Sequence, residues 1–221
     1  MERDPAPPSV GRPVAVRTVL CFGDSNTYGS IPGEPGGRFA SDVRWPGLLA
    51  HELGDSWRVV EEGLPGRTTV FDDPLSPYRR GADCLPPCLA SHAPLDAVVI
   101  FLGTNDLKAR LAAEASDIAA GVGLLTQTVL DSRCGPCGET PRVLVLGLPR
   151  LGATLGPEFK DAERKAAGLP RHLAQEATAI GVELLDLSEV VAYSGIDGYH
   201  LDAAGHREVG ESVARRLAAM F

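Results

Sequence analysis

The chain has 221 residues and a formal net charge of −8, with 44% hydrophobic and 23% charged residues, the proportions of a globular protein. The acidic balance excludes a general affinity for nucleic acid or anionic membranes, which select basic surfaces, and no apolar run approaches the roughly 20 residues that span a bilayer. A chain of this length is large for one ordinary domain and small for two, and hides roughly 70% of its unfolded surface in one core.

The chain opens with Met1–Val16, a Pro-rich and charged stretch without the apolar segment of a secretory signal. It reads as a flexible tail ahead of one domain over residues 17–221, and the protein is expected to be cytoplasmic. Five apolar runs follow: Thr18–Phe22, Arg58–Glu62, Ala97–Leu102, Val143–Leu148 and Val182–Leu187. Three are nearly continuous in Val, Leu and Ile, as strands covered on both faces of a parallel sheet tend to be. Trp45–Leu53 is a short amphipathic helix. Ser116 offers an N-cap for a helix to about Ser132, with Ile118, Val122, Leu125 and Val129 at helical spacing. Glu158–Ile180 is helical in composition, and Pro170 is expected to kink it or split it in two. The last segment, Ala203 to Phe221, sets Val209, Val213 and Leu217 on one face. Alternation of strand and helix predicts a three-layer α/β/α sandwich with a mostly parallel sheet.

In such a sheet ligands collect at the carboxyl ends of the strands. The first run is followed by Gly23-Asp24-Ser25-Asn26 and the second by Gly63-Leu64-Pro65-Gly66-Arg67. The third is followed by Gly103-Thr104-Asn105-Asp106, and Asp197-Gly198-Tyr199-His200 precedes the last helix. These are the parts of an acyl-transfer site. A serine hydroxyl is a weak nucleophile until a base takes its proton, and imidazole has the pKa for that. The imidazole in turn needs a carboxylate to fix its tautomer. Three residues apart, Asp197 and His200 are expected to be brought side by side by a single helical turn. The oxyanion needs fixed donors, which the Asn105 amide and the backbone N–H groups of Ser25 and Gly63 supply. The Gly- and Pro-rich stretches Ser30–Gly37 and Leu64–Gly81 are long enough to be functional, and Tyr28, Leu64 and Phe71 are expected to line the approach to Ser25.

Each piece has a plainer reading on its own. Gly-Asp-Ser and Asn-Asp are common turns or caps, and the joint pattern is what favours catalysis. His206, four residues after Asp202, is a rival base but falls on the last helix. His92 and His172 are read as surface groups. The five cysteines are an odd number, against a fully paired framework. Cys134-Gly135-Pro136-Cys137 resembles a redox pair, yet it follows a helix and precedes a strand, the reverse of the redox context. Cys84 and Cys88 with Cys134 and Cys137 could form a four-thiolate zinc site. A thiol redox or zinc-binding protein is therefore the alternative from outside esterase chemistry.

The four blocks Gly23-Asp24-Ser25, Gly63, Gly103-Thr104-Asn105-Asp106 and Asp197-Gly198-Tyr199-His200 resemble those of the GDSL or SGNH hydrolase superfamily. Asn26 stands where that family usually has leucine. Within the superfamily the chain is most similar to bacterial arylesterases that also act as acyltransferases, through Leu20–Ser25, Phe39–Trp45, Glu61–Thr69, Leu85–His92 and Leu102–Lys108. The resemblance implies a flavodoxin-like fold with a parallel five-stranded sheet and a catalytic triad of Ser25, Asp197 and His200. It implies an oxyanion hole from the Ser25 and Gly63 amides and the Asn105 side chain. It also implies a small ester substrate, an alcohol as a second acyl acceptor, a homo-oligomer, and no metal or organic cofactor. A carbohydrate acetylesterase of the same superfamily is the alternative activity. The Gly-x-Ser-x-Gly elbow of α/β-hydrolases is absent around Ser25.

Overall fold

The computed structural model describes residues 16–221, so the stretch expected as a tail lies, apart from Val16, outside the described residues. Each apolar run forms a strand: β1 (Arg17–Gly23), β2 (Trp57–Gly63), β3 (Ala97–Phe101), β4 (Arg142–Leu146) and β5 (Glu183–Leu185). All pair in parallel in the order β2-β1-β3-β4-β5. The burial pattern explains the composition. β3 is buried at every position, and β1 and β4 at all but the first, because helices cover both faces of the inner strands. The edge strands β2 and β5 are only half covered, and β2 accordingly carries Arg58, Glu61 and Glu62.

The helices are α1 (Ser25–Tyr28), α2 (Trp45–Leu53), α3 (Gly81–His92), α4 (Ala115–Ser132), α5 (Ala162–Ile180) and α6 (Ala203–Met220). On one face α2 packs on α6; on the other α4 packs on α3 and α5. Two local expectations are corrected, and one helix was not foreseen. The cap of α4 is Glu114, in a reciprocal capping box with Asp117, rather than Ser116. Helix α5 starts later than expected and runs unbroken through Pro170. Helix α3 has no counterpart in the sequence reading and carries Pro86 and Pro87 in its interior.

The strand order reverses between β1 and β3, and the connections that leave these neighbours run to opposite faces of the sheet, which leaves a crevice at their carboxyl ends. The chain leaves β1 at Gly23 and enters α1 at once. That places residue 25 at the mouth of the crevice.

Candidate active site

Asp24 is the N-cap of α1, and its Oδ1 accepts from the Asn26 N–H at 2.8 Å. This sharp turn presents Ser25 at the first helical position. His200 Nε2 lies 2.9 Å from Ser25 Oγ, and His200 Nδ1 lies 2.8 Å from Asp197 Oδ2. The other Asp197 oxygen accepts from the N–H groups of Tyr199 at 3.3 Å and His200 at 3.1 Å, while Oδ2 also accepts from Gly33 N–H at 3.2 Å. Burial would raise the Asp197 carboxyl, but its hydrogen bonds and the His200 charge outweigh this and hold it below the usual carboxylate value. The structure thus joins Ser25, His200 and Asp197 in one hydrogen-bonded chain, by a turn rather than a helix at 195–200.

Asn26 contributes in a way the sequence reading missed. Its Nδ2 donates to Tyr199 O at 3.1 Å and its Oδ1 accepts from Leu201 N–H at 3.0 Å. The side chain after Ser25 therefore grips the backbone on both sides of His200.

Asn105 follows β3 in a short 3-10 turn and is buried beside the serine. Its Nδ2 donates to Arg67 O at 3.1 Å and to Asp24 Oδ2 at 3.3 Å. A cleft of about 340 Å³ opens over these groups, lined among others by Ser25, Pro65, Gly66, Asn105, Tyr199 and His200. Gly63 is not in this lining. A Cβ there would lie 2.1 Å from Tyr28 N, so its glycine is needed for the close approach of β2 to α1. Gly66, with φ +82° in the turn closed by Arg67 N–H to Leu64 O, faces the cleft instead.

The apolar side chains expected along the approach are corrected too. None of Tyr28, Leu64 and Phe71 lines the cleft. The Arg38 guanidinium covers the Tyr28 ring at 4.0 Å, and Phe71 packs against the core. The rim is instead Ser30, Lys108, Arg110 and Glu158, with Phe159 and Tyr199 paired at 4.6 Å between ring centres.

The long 64–81 stretch is pinned rather than loose. Arg67 donates to Gly23 O at 2.7 Å, Thr69 N–H and Oγ1 donate to Asp106 Oδ1 at 2.9 and 2.6 Å, and Arg110 grips Asp73 through two hydrogen bonds. That Arg110 contact holds the Asp73 carboxyl below its usual value. Burial pushes Asp24 up, and pushes Asp106 up to about 6.

The rival base is a structural group. His206 is fully buried on α6, and its Nδ1 accepts the Trp45 N–H at 3.3 Å at the start of α2. Burial lowers its pKa to about 4. His172 is half-buried, but His92 is no lone surface group, since its Nε2 lies 3.0 Å from Glu62 Oε1. All five cysteines are free thiols. Among the described residues the one group of metal-ligating type is Glu62, Cys88 and His92, so the four thiolates Cys84, Cys88, Cys134 and Cys137 do not converge. Burial and Glu62 push the Cys88 thiol up to about 12, which makes it a poor redox nucleophile.

The model of the GDSL-like lipase/acylhydrolase family matches residues 21–208. Among solved structures, the native aryl esterase of M. smegmatis is 41% identical with a TM-score of 0.88, over 93% of this chain and 100% of that one. Est24, a carbohydrate acetylesterase from Sinorhizobium meliloti, is 38% identical with a TM-score of 0.88 and the same coverage. A carbohydrate acetylesterase family member from the same organism is 33% identical with a TM-score of 0.85, over 93% and 99%. No curated protein sequence matches the chain significantly. Among the described residues no helix is long and apolar enough to cross a membrane.

Proposed function

The chain belongs to the GDSL-like lipase/acylhydrolase family, and we propose that it cleaves small carboxylic esters through an acyl-serine at Ser25. The observation that carries this is the unbroken path from Asp197 Oδ2 through His200 to Ser25 Oγ, with links of 2.8 and 2.9 Å. Ser25 Oγ attacks the ester carbonyl as its proton passes to His200 Nε2, and Asp197 holds the Nδ1–H and the resulting imidazolium. The carbonyl oxygen gains a negative charge and is received by the Ser25 and Gly66 N–H groups and Asn105 Nδ2. Of its two contacts at rest, Asn105 exchanges the longer one, to Asp24, for the oxyanion. The carbon–oxygen bond of the leaving alcohol then breaks, and His200 returns the proton to it. Water repeats the sequence on the acyl-serine.

The acyl group is short and the alcohol aryl or alkyl, in keeping with the aryl esterase likeness. A second reading, removal of acetyl from a sugar, is favoured by the rim of Ser30, Lys108, Arg110 and Glu158 beside the Phe159–Tyr199 pair. A polar rim with an aromatic platform suits a hydroxyl-rich alcohol. The five free thiols fit a reducing compartment such as the cytoplasm. Transfer to an added alcohol is also proposed, since an acceptor bound and oriented at the acyl-serine gains orders of magnitude in effective concentration over bulk water.

The test is a panel of p-nitrophenyl esters of increasing acyl length and of acetylated sugars, with and without a small alcohol. Ser25→Ala should lower kcat by about a thousandfold or more while the circular dichroism is unchanged. A variant keeping a tenth of the wild-type rate would remove Ser25 from the mechanism. Free acid as the only product at high alcohol would leave a plain hydrolase.

A further inference from the structure

Outside the cleft, one cluster of ligating side chains takes no part in ester chemistry. Cys88 and His92 are four residues apart on α3 and so share a face of the helix. Glu62, the last residue but one of β2, meets them from the sheet. His92 Nε2 lies 3.0 Å from Glu62 Oε1, and the ligating atoms of all three residues lie within 4.8 Å of one another. Each residue is half-buried, so the ligands are partly shielded while one side stays reachable from solvent.

We propose that Glu62, Cys88 and His92 form a zinc(II) site that braces α3 against the carboxyl end of β2. The donor set selects the ion. One thiolate, one imidazole and one carboxylate are the three ligand types of zinc proteins, whereas calcium and magnesium take oxygen ligands alone. Zinc–ligand bonds of about 2.0–2.3 Å in a tetrahedron set neighbouring ligands about 3.3–3.7 Å apart. The present spacing needs only side-chain adjustment to reach that. Cys84 stands one turn earlier on the same helix face, and water or its thiol completes the fourth position.

The charges close acceptably. Zinc with one thiolate and one carboxylate is neutral, and the Arg67 guanidinium, whose Nη1 donates to Glu62 O, leaves the filled site at one positive charge. In the metal-free state the Cys88 thiol keeps its proton. Coordination removes it to solvent, because a metal-bound thiol is deprotonated outright. The site lies outside the reacting groups, so this inference stands whether or not the esterase reading does. Arg67 links it to the cleft, since its own carbonyl accepts from Asn105.

The test uses the full chain stripped with a chelator, then titrated with zinc by calorimetry and with cobalt(II) by absorption. The expected result is one ion per chain, a thiolate-to-cobalt charge-transfer band, and a Tm raised by about 5–10 °C at a hundredfold excess of zinc over Kd. Glu62→Gln, which keeps the shape and the contact to His92, should weaken zinc, as should Cys88→Ser and His92→Gln. Each should cost about a hundredfold or more, past the loss seen when only a partner of a ligand is removed. Cys134→Ser and Cys137→Ser should bind as the wild type does. Absence of stoichiometric binding to the stripped wild type would overturn the proposal. So would affinity unchanged in Glu62→Gln and Cys88→Ser, or affinity lost in Cys137→Ser.

Discussion

Asp197→Asn isolates the role of the carboxylate because the surrounding donors dictate how an amide must sit. One Asp197 oxygen accepts two backbone N–H groups, from Tyr199 and His200. An asparagine keeps both only by placing its carbonyl oxygen there. Its NH₂ then takes the place of Oδ2, facing His200 Nδ1 and also the Gly33 N–H, now donor against donor. Facing a donor, Nδ1 must accept, and the ring proton moves to Nε2. That nitrogen lies 2.9 Å from Ser25 Oγ and can no longer take its proton. The cost of the wrong tautomer in such a triad is about 10⁴ in kcat, or about 5 kcal/mol of transition-state stabilisation. The fold should survive, because both backbone contacts do. Initial rates with p-nitrophenyl acetate measure the loss, and ¹⁵N NMR of the His200 ring reports the tautomer. A variant within tenfold of the wild type, or a slow variant whose Nε2 stays unprotonated, would refute the reasoning.

Asn105→Ala should lower kcat about a hundredfold with KM little changed, the signature of a group acting on the transition state; a change in KM alone would make it a substrate contact. Asn26→Leu removes the grip on Tyr199 O and Leu201 N–H, and should cost about ten- to a hundredfold in kcat, again without moving KM. Unaltered kcat in the folded variant would show that Asn26 does not position His200. Two buried groups set opposing pH dependences. His206, near 6.5 unfolded and about 4 folded, takes up its proton first in the unfolded chain, so its contribution falls as pH drops from 6.5 to 4. Asp106, 3.8 ordinarily and about 6 folded, takes up its proton first in the folded chain, so its contribution rises as pH drops from 6 to 3.8, with Asp24 acting in the same sense. Asp106→Asn should therefore lose stability between pH 7 and 5 more steeply than the wild type in urea unfolding, and an equal slope would contradict the pairing.

The sheet was legible because a strand must be apolar where both its faces are covered, and β3 throughout, β4 after Arg142 and β1 over Val19–Phe22 meet that condition. Proline is where local rules misled. In α3, Pro86 and Pro87 lie on the exposed face, while Gly81, Leu85 and Leu89 turn inward. The carbonyls of Ala82 and Asp83, deprived of donors by the two rings, therefore lie toward water, which lowers the cost of an interior proline. Packing of the inward face supplies the rest, as it does for α5 around Pro170. The α4 cap was missed for another reason. Glutamate is not a favoured cap by type, and only the reciprocal contact with Asp117 makes it one.

At the site, what a residue is could be read from the chain, but not where its polar atoms point. Ser25, Asn105, Asp197 and His200 stand out because each is polar beside a strand end or the last helix, where a buried side chain needs a reason. Gly63 also stands out, yet its reason is the 2.1 Å that a Cβ would leave to Tyr28 N. Gly66 turns toward the cleft because the Leu64–Arg67 turn places it at positive φ, a fact of backbone direction with no mark in composition. The lining residues fail the same way. Tyr28 is three residues from Ser25 in the chain, but Arg38 covers its ring, and the aromatic wall comes from Phe159 and Tyr199. Asn26 makes the point most sharply. In the chain it is only a residue beside Ser25 that departs from the usual leucine. Its two partners lie 173 and 175 residues away. Only the sheet, by bringing the end of β1 against the loop before α6, turns that amide into the clamp that steadies His200.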